Sequence, residues 1–333
     1  MDHGACRYAV LCYSHQGKVS TKALQSMNRG HVLLMLAATC LLFASPLSQA
    51  VVLSDPAGTV LPHHVARSHR LLAPLDEPGL RSSAALVLDA THATVLYSRR
   101  ADVALPIASI TKLMTALVVL EAGQPLEEMI EITRDDRSSG KGAHSRLATG
   151  ATLSRGDLIH LALMASENRA AHALGRTFPG GLPALVLAMN AKAAALGMTG
   201  ARFVDPSGLS SENVASPADL SKLVVAASND PTIREYSTDG RYAVQVGRRT
   251  LGFRNTNSLV SNPAWNIVVQ KTGYIAEAGR CLVMQAVIED RTVVIVLLNS
   301  FGKYTRVADA RRIRKWIEAK LFEHGPSTLA SKT

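Results

Sequence analysis

Apolar and polar positions along the chain fall into three regimes. Between Ala84 and Tyr97, "AALVLDATHATVLY" places two apolar runs around the polar break "DATHA" and predicts a β-hairpin. From Pro106 to Gly123, "PIASITKLMTALVVLEAG" predicts a helix that is apolar nearly all round and therefore buried. "IEITRDD" then predicts a short strand, and the Gly-rich loop "SSGKGAHSRLATG" after it lacks the Gly-Lys-Ser/Thr ending of a phosphate cradle. From Ser154 to Ser228 the period is helical. "SRGD" is a capping box opening a helix to about Ala165, Arg169 begins another, and Gly180-Gly181 breaks the chain. "LPALVLAMNAKAAALG" predicts a helix stopped by Gly197, and "SPADLSKLVVAAS" one capped by Ser216 with Asp219 three residues on. The pattern then returns to strands in "WNIVVQKTG", "GRCLVMQAVI" and "TVVIVLLN", the last two joined by a turn at Glu289-Asp290. A final helix from Thr305 to about Phe322 places Val307, Ala310, Ile313, Trp316, Ile317 and Leu321 on one side, with Arg306, Arg311, Arg312 and Lys315 mostly on the other. Strands at both ends with helices between predict an α+β fold, an antiparallel sheet flanked by helices with an inserted all-helical lobe. There is no internal repeat.

The apolar run of residues 32–44 is too short to span a bilayer comfortably; Arg29 precedes it and "SPLSQA" follows, so residues 1–50 read as a signal peptide region cleaved near Ala50. The mixed, polar stretch before Met27 suggests Met27 as the true start. Residues 51–80, with four prolines and no sustained period, read as an arm or linker, residues 81–323 as the functional domain, and residues 324–333 as a tail. Three of the four cysteines, Cys6, Cys12 and Cys40, lie in the segment expected to be removed. Cys281 then has no intramolecular partner and reads as a core residue. His63, His64 and His69 have no second ligand cluster to make a zinc site.

The formal net charge is +10 and remains positive without residues 1–50, which suits an exported protein at an anionic surface such as a cell-wall polymer. Aromatic residues are only 5% and no recognition motif interleaves them with the charges, so nucleic acid is not an expected partner.

Ser109 and Lys112, three residues apart, share one helical face near the start of the Pro106–Gly123 helix. Desolvation lowers the pKa of a buried ammonium and makes it a plausible general base, and a serine hydroxyl needs such a base to become a nucleophile. N–H groups of a first helical turn can also hold an oxyanion. Taken alone, a Ser-x-x-Lys reads first as a helix cap with a snorkelling lysine, and the pair needs partners to mean more. Two further motifs follow in order: Ser166-Glu167-Asn168 at a helix junction and Lys271-Thr272-Gly273 at the end of an extended run. Ser-x-x-Lys, Ser-x-Asn and Lys-Thr-Gly, on a helix, a loop and a strand, are together the signature of penicillin-reactive serine enzymes.

The chain resembles the low-molecular-mass penicillin-binding proteins, the serine D-Ala-D-Ala peptidases, and within them the periplasmic endopeptidases. The likeness runs from about Ser83 to Glu318 through "SENRAAHALGRTFPGG", "MNAKAAALGMTGARFVDPSGLS", "FRNTNSLV" and "FGKYTRVADARRIRKWIE" as well as the three motifs. The resemblance implies a β-lactamase/transpeptidase-like fold and a peptidase that cuts D-Ala-diaminopimelate cross-links of peptidoglycan through a Ser109 acyl-enzyme. Lys112 would be the base and Ser166 a relay of the proton to the leaving amine. Asn168 would bind a substrate amide, Lys271 and Thr272 the substrate carboxylate, and Gly273 would allow close approach of the peptide backbone. The N–H groups of Ser109 and Tyr274 would hold the oxyanion. Expected partners are peptidoglycan stem peptides and cross-links, with β-lactams as acylating inhibitors; no metal or other cofactor is required. The chain ends soon after its terminal helix, so no stable membrane anchor is expected and the enzyme is expected free in the periplasm. A D,D-carboxypeptidase would use the same residues. A β-lactamase of class A would need a deacylating Glu-x-x-Leu-Asn segment, which does not follow Asn168. A non-catalytic wall-binding protein would have no need of the nucleophile.

Overall fold

A computed structural model describes residues 77–137 and 145–324. The elements are β1 (Ser82–Asp89), β2 (Thr94–Arg99), β3 (Leu105–Pro106), α1 (Thr111–Glu121), β4 (Met129–Glu131), β5 (Thr152–Ser154), α2 (Arg155–Met164), α3 (Asn168–Arg176) and α4 (Gly181–Ala195). They continue with β6 (Val214–Ala215), α5 (Pro217–Ser228), α6 (Pro231–Thr238), β7 (Arg241–Val246), β8 (Arg249–Arg254), β9 (Asn266–Ile275), β10 (Gly279–Ile288), β11 (Arg291–Ser300) and α7 (Thr305–His324).

Five antiparallel strands form the main sheet in the order β2-β1-β11-β10-β9. The apolar runs of β10 and β11 follow from burial on both faces, because alternate side chains of a strand point to opposite sides. Val294, Val296 and Leu298 of β11 join Cys281 and Val283 of β10 in a core shared with α1–α5. Their neighbours Val293, Ile295 and Leu297 join Leu282 and Met284 in a second core against Ala310, Ile313 and Ile317 of α7. The apolar side of the terminal helix thus covers the sheet, as its pattern predicts. Asp309 of α7 ties the helix to β1 by accepting from the Ser82 N–H at 2.8 Å and the Ser82 hydroxyl at 2.6 Å. The turn between β10 and β11 has φ of +48° at Glu289 and +59° at Asp290, the geometry of a tight hairpin loop.

The helical lobe lies in sequence between β2 and β9. Both predicted capping boxes form: the Ser154 Oγ accepts from the Asp157 N–H and the Ser216 Oγ from the Asp219 N–H, each at 3.0 Å. Besides the short strands β3, β5 and β6, α6 and the β7–β8 hairpin escape the sequence pattern. The pattern is short in α6, whose eight residues start from an Asp230 cap that accepts from the Ile233 N–H at 3.0 Å. Cys281 is buried against the Ala278 carbonyl, and burial pushes its thiol pKa up to about 11, as suits a core residue. Among the described residues no helix is long and apolar enough to cross a membrane. The expectations for residues 1–50, for most of 51–80 and for the tail after His324 lie outside the described residues, as does most of the Gly-rich loop.

Candidate active site

Ser109 occupies a tight turn, Ala108–Ile110, just ahead of α1 rather than inside its first turn, and its side chain caps nothing. Two glycines fix that turn. Ala108 has φ +49°, and a Cβ on Gly208 would stand 1.9 Å from the Ala108 carbonyl oxygen. A Cβ on Gly273 would stand 2.7 Å from the Ile107 oxygen and 3.2 Å from the Ser109 nitrogen. The absence of a side chain at Gly273 thus lets the nucleophile turn pack closely on β9.

Lys112 is fully buried and does not snorkel. Its Nζ lies 2.9 Å from the Ser109 Oγ, 2.7 Å from the Asn168 Oδ1 and 2.6 Å from the Ser207 carbonyl oxygen. Burial lowers its pKa to about 7, against the opposing pull of the Asp205 and Glu167 carboxylates. Near neutrality much of the population is the free amine. Of the three neighbours only the serine hydroxyl has a proton to give, so the amine lone pair is directed at Ser109 while its two N–H groups keep the other two acceptors.

The loop holding Ser207 shows no period in the sequence and is organised by one carboxylate. Asp205 accepts from the N–H groups of Ser207 and Gly208 at 2.7 Å each, from the Ser210 N–H at 3.0 Å and from the Asn213 side-chain amide at 2.9 Å. These bonds lower its pKa despite burial. Asp205 thereby places both the Ser207 carbonyl on Lys112 and Gly208 beneath Ala108. Sequence reasoning assigned it no role, although the loop lies within "FVDPSGLS".

Ser166 and Asn168 stand at the α2–α3 junction. Ser166 has φ +61°, a conformation that non-glycine residues adopt at a cost and that clusters at functional sites. Asn168, two residues on, meets Lys112 directly.

The opposite wall is the edge strand β9, which packs on the Ser109 turn. Lys271 is fully buried, its Nζ 2.9 Å from the Thr272 carbonyl oxygen. Burial first, then the charges of Lys112 and Arg306, push its pKa well down. The Thr272 Oγ1 lies 2.6 Å from the Thr256 Oγ1. Tyr274, 56% exposed, carries the Arg280 guanidinium 4.5 Å from its ring centre. Arg306 departs from its expected place on the outer face of the terminal helix: its Nε and Nη1 are buried without hydrogen-bond partners, and its charge bears on Lys271. The unspent guanidinium donors of Arg306 beside Lys271 suit an anion, whose charge would favour the ammonium form of the lysine. Among the described residues no cluster of metal-ligating side chains occurs.

The family model for D-alanyl-D-alanine carboxypeptidases matches residues 73–302. A D-alanyl-D-alanine endopeptidase of Pseudomonas aeruginosa is 50% identical over 72% of this chain and 78% of its own length. One of Escherichia coli is 46% identical over 73% of this chain and 79% of its own. The solved structure of a Streptomyces DD-transpeptidase superposes with a TM-score of 0.67 at 26% identity, covering 73% of this chain and 99% of that one. The fold is thus shared with a solved DD-transpeptidase, and the chain belongs to the D-alanyl-D-alanine carboxypeptidase family of serine peptidases.

Proposed function

We propose that the protein is a penicillin-sensitive serine D-alanyl-D-alanine endopeptidase that opens D-Ala-diaminopimelate cross-links of peptidoglycan in the periplasm. The observation that carries the reading is the buried Lys112 amine 2.9 Å from the Ser109 Oγ, a base already placed on its nucleophile. Neutral Lys112 takes the Ser109 proton as Oγ attacks the D-alanyl carbonyl. The N–H groups of Ser109 and Tyr274 receive the oxyanion, and the glycine contacts hold Ser109 against β9 for that purpose. The proton passes by way of Ser166 to the leaving amine, the C–N bond breaks, and an ester to Ser109 remains until water hydrolyses it. Asn168 binds a substrate amide. Lys271, Thr272 and Arg306 hold the carboxylate beyond the scissile bond through charge-assisted hydrogen bonds. A β-lactam acylates the same serine. The named activity of the relatives at 50% and 46% identity favours the endopeptidase over a carboxypeptidase using the same residues.

The mature protein, incubated separately with cross-linked muropeptide dimers and with monomeric pentapeptides, is expected to release monomers from the dimers. Loss of terminal D-alanine alone would assign it as a carboxypeptidase.

A further inference from the structure

The β7–β8 hairpin carries a second basic site beside the cleft. Its inward side chains, among them Val244 and Phe253, pack into the core, while its outer face is built in rungs. Arg241 stands opposite Arg254, Ala243 opposite Gly252, and Gln245 opposite Thr250. Like charges directly opposite one another on a sheet are destabilising. Among the described residues no carboxylate lies within ion-pair distance of either arginine.

The middle rung has almost no side chain, and nothing lies within 4 Å of where a Gly252 Cβ would stand. The result is an open depression of about 470 Å³ lined by Arg241, Tyr242, Ala243, Gly252, Phe253 and Arg254. A third cation borders it. The Arg146 guanidinium stacks 3.7 Å from the Phe253 ring centre, donates to the Gly252 carbonyl at 2.7 Å and lies 3.9 Å from the Glu167 carboxylate through its Nε, with the side chain still 54% exposed.

Both banks reach the catalytic walls. Arg254 is two residues, about 7 Å of extended chain, from Thr256, whose hydroxyl meets Thr272 and whose N–H donates to the Met164 carbonyl. The Arg146 N–H donates to the Glu167 carboxylate between Ser166 and Asn168.

We propose that this depression holds carboxylates of an acidic peptide substrate remote from the scissile bond, making Arg241, Arg254 and Arg146 specificity determinants for acidic stem peptides. The inference rests on the peptidase reading above. An anion bridging Arg241 and Arg254 turns their repulsion into binding, and the bare Ala243–Gly252 rung gives a peptide backbone room to lie against the hairpin. The extended path from Arg254 to Thr272 lets one peptide occupy the depression and the cleft together.

The test uses the full chain with Ser109→Ala, which leaves substrate uncut, and compares it with the same chain carrying Arg241→Gln and Arg254→Gln. Calorimetric titration with a cross-linked muropeptide dimer is expected to show about a tenfold loss of affinity on removing the arginines. A dimer whose remote carboxylates are amidated is expected to bind both chains alike. The melting temperature is expected to hold or rise, since a like-charge pair has gone. Unchanged binding of the acidic dimer would overturn the proposal. So would equal weakening of both dimers with a lower melting temperature, which would assign the arginines to holding the hairpin. Cleavage by the chain with Ser109 intact is measured separately: binding with the expected pattern but without cleavage would contradict the endopeptidase reading and leave this site standing.

Discussion

The cleft has two walls, each with a buried lysine, and the two lysines have different neighbours. On the helical side Lys112 meets three oxygen acceptors, one for each proton of its ammonium form. On the sheet side Lys271 donates to the Thr272 carbonyl and otherwise lies within electrostatic reach of Lys112 and Arg306. Burial lowers both pKa values, but for different ends. The first wall stabilises a lysine that exchanges one proton with one hydroxyl, whereas the second sets Lys271 beside the unspent donors of Arg306, where a bound carboxylate would favour the charged form of the lysine. A lysine becomes a base where its neighbours are complete without a carboxylate, and an anchor where they are incomplete without one.

The largest effect is expected from removing the base. Lys112→Met should slow acylation by penicillin by about 10³-fold, within the range of general-base catalysis, as read by stopped-flow labelling of Ser109. Gly273→Ala places a Cβ 2.7 Å from the Ile107 oxygen and should displace the Ser109 turn from β9. About a hundredfold loss of labelling is expected, with a destabilisation of about 1–3 kcal/mol by chemical denaturation. Arg306→Gln weakens the other wall only. It should raise the KM for dimers about tenfold and leave kcat nearly unchanged, and an equal fall in kcat would move Arg306 from binding to the reacting atoms. A further effect concerns stability alone. The unfolded value for Lys112 is 10.5 and the folded value about 7, so the unfolded chain binds more protons between them. The cost of burial is then full below about pH 7 and is relieved as pH rises towards 10.5. Lys271 acts in the same direction, and a melting series across alkaline pH should show the gain.

The sequence makes the helical wall easier to read than the sheet wall. Ser109, Lys112, Ser166 and Asn168 lie on or between helices marked by long apolar runs and capping signals, and the apolar runs of β10 and β11 are legible because both their faces are covered. Asp205 is not, because its work is done by short-range hydrogen bonds in an irregular loop. The β7–β8 hairpin is missed for a related reason. Its outer residues are arginines and small side chains, so the alternation of a half-buried strand is muted. Arg306 misleads more directly: the helical period places it with the outward basic residues of α7, yet its position in the first turn brings its guanidinium back over the end of the sheet.

The pH dependence of Ser109 acylation by penicillin tests the central claim most directly, since it reads the ionisation of Lys112 in the folded cleft. The rate constant is expected to rise with pH through a midpoint of about 7, the value burial gives this lysine, and the step should vanish in Lys112→Met. A rate that is flat across neutrality, or that rises only near the ordinary lysine value of 10.5, would contradict the assignment of Lys112 as the base.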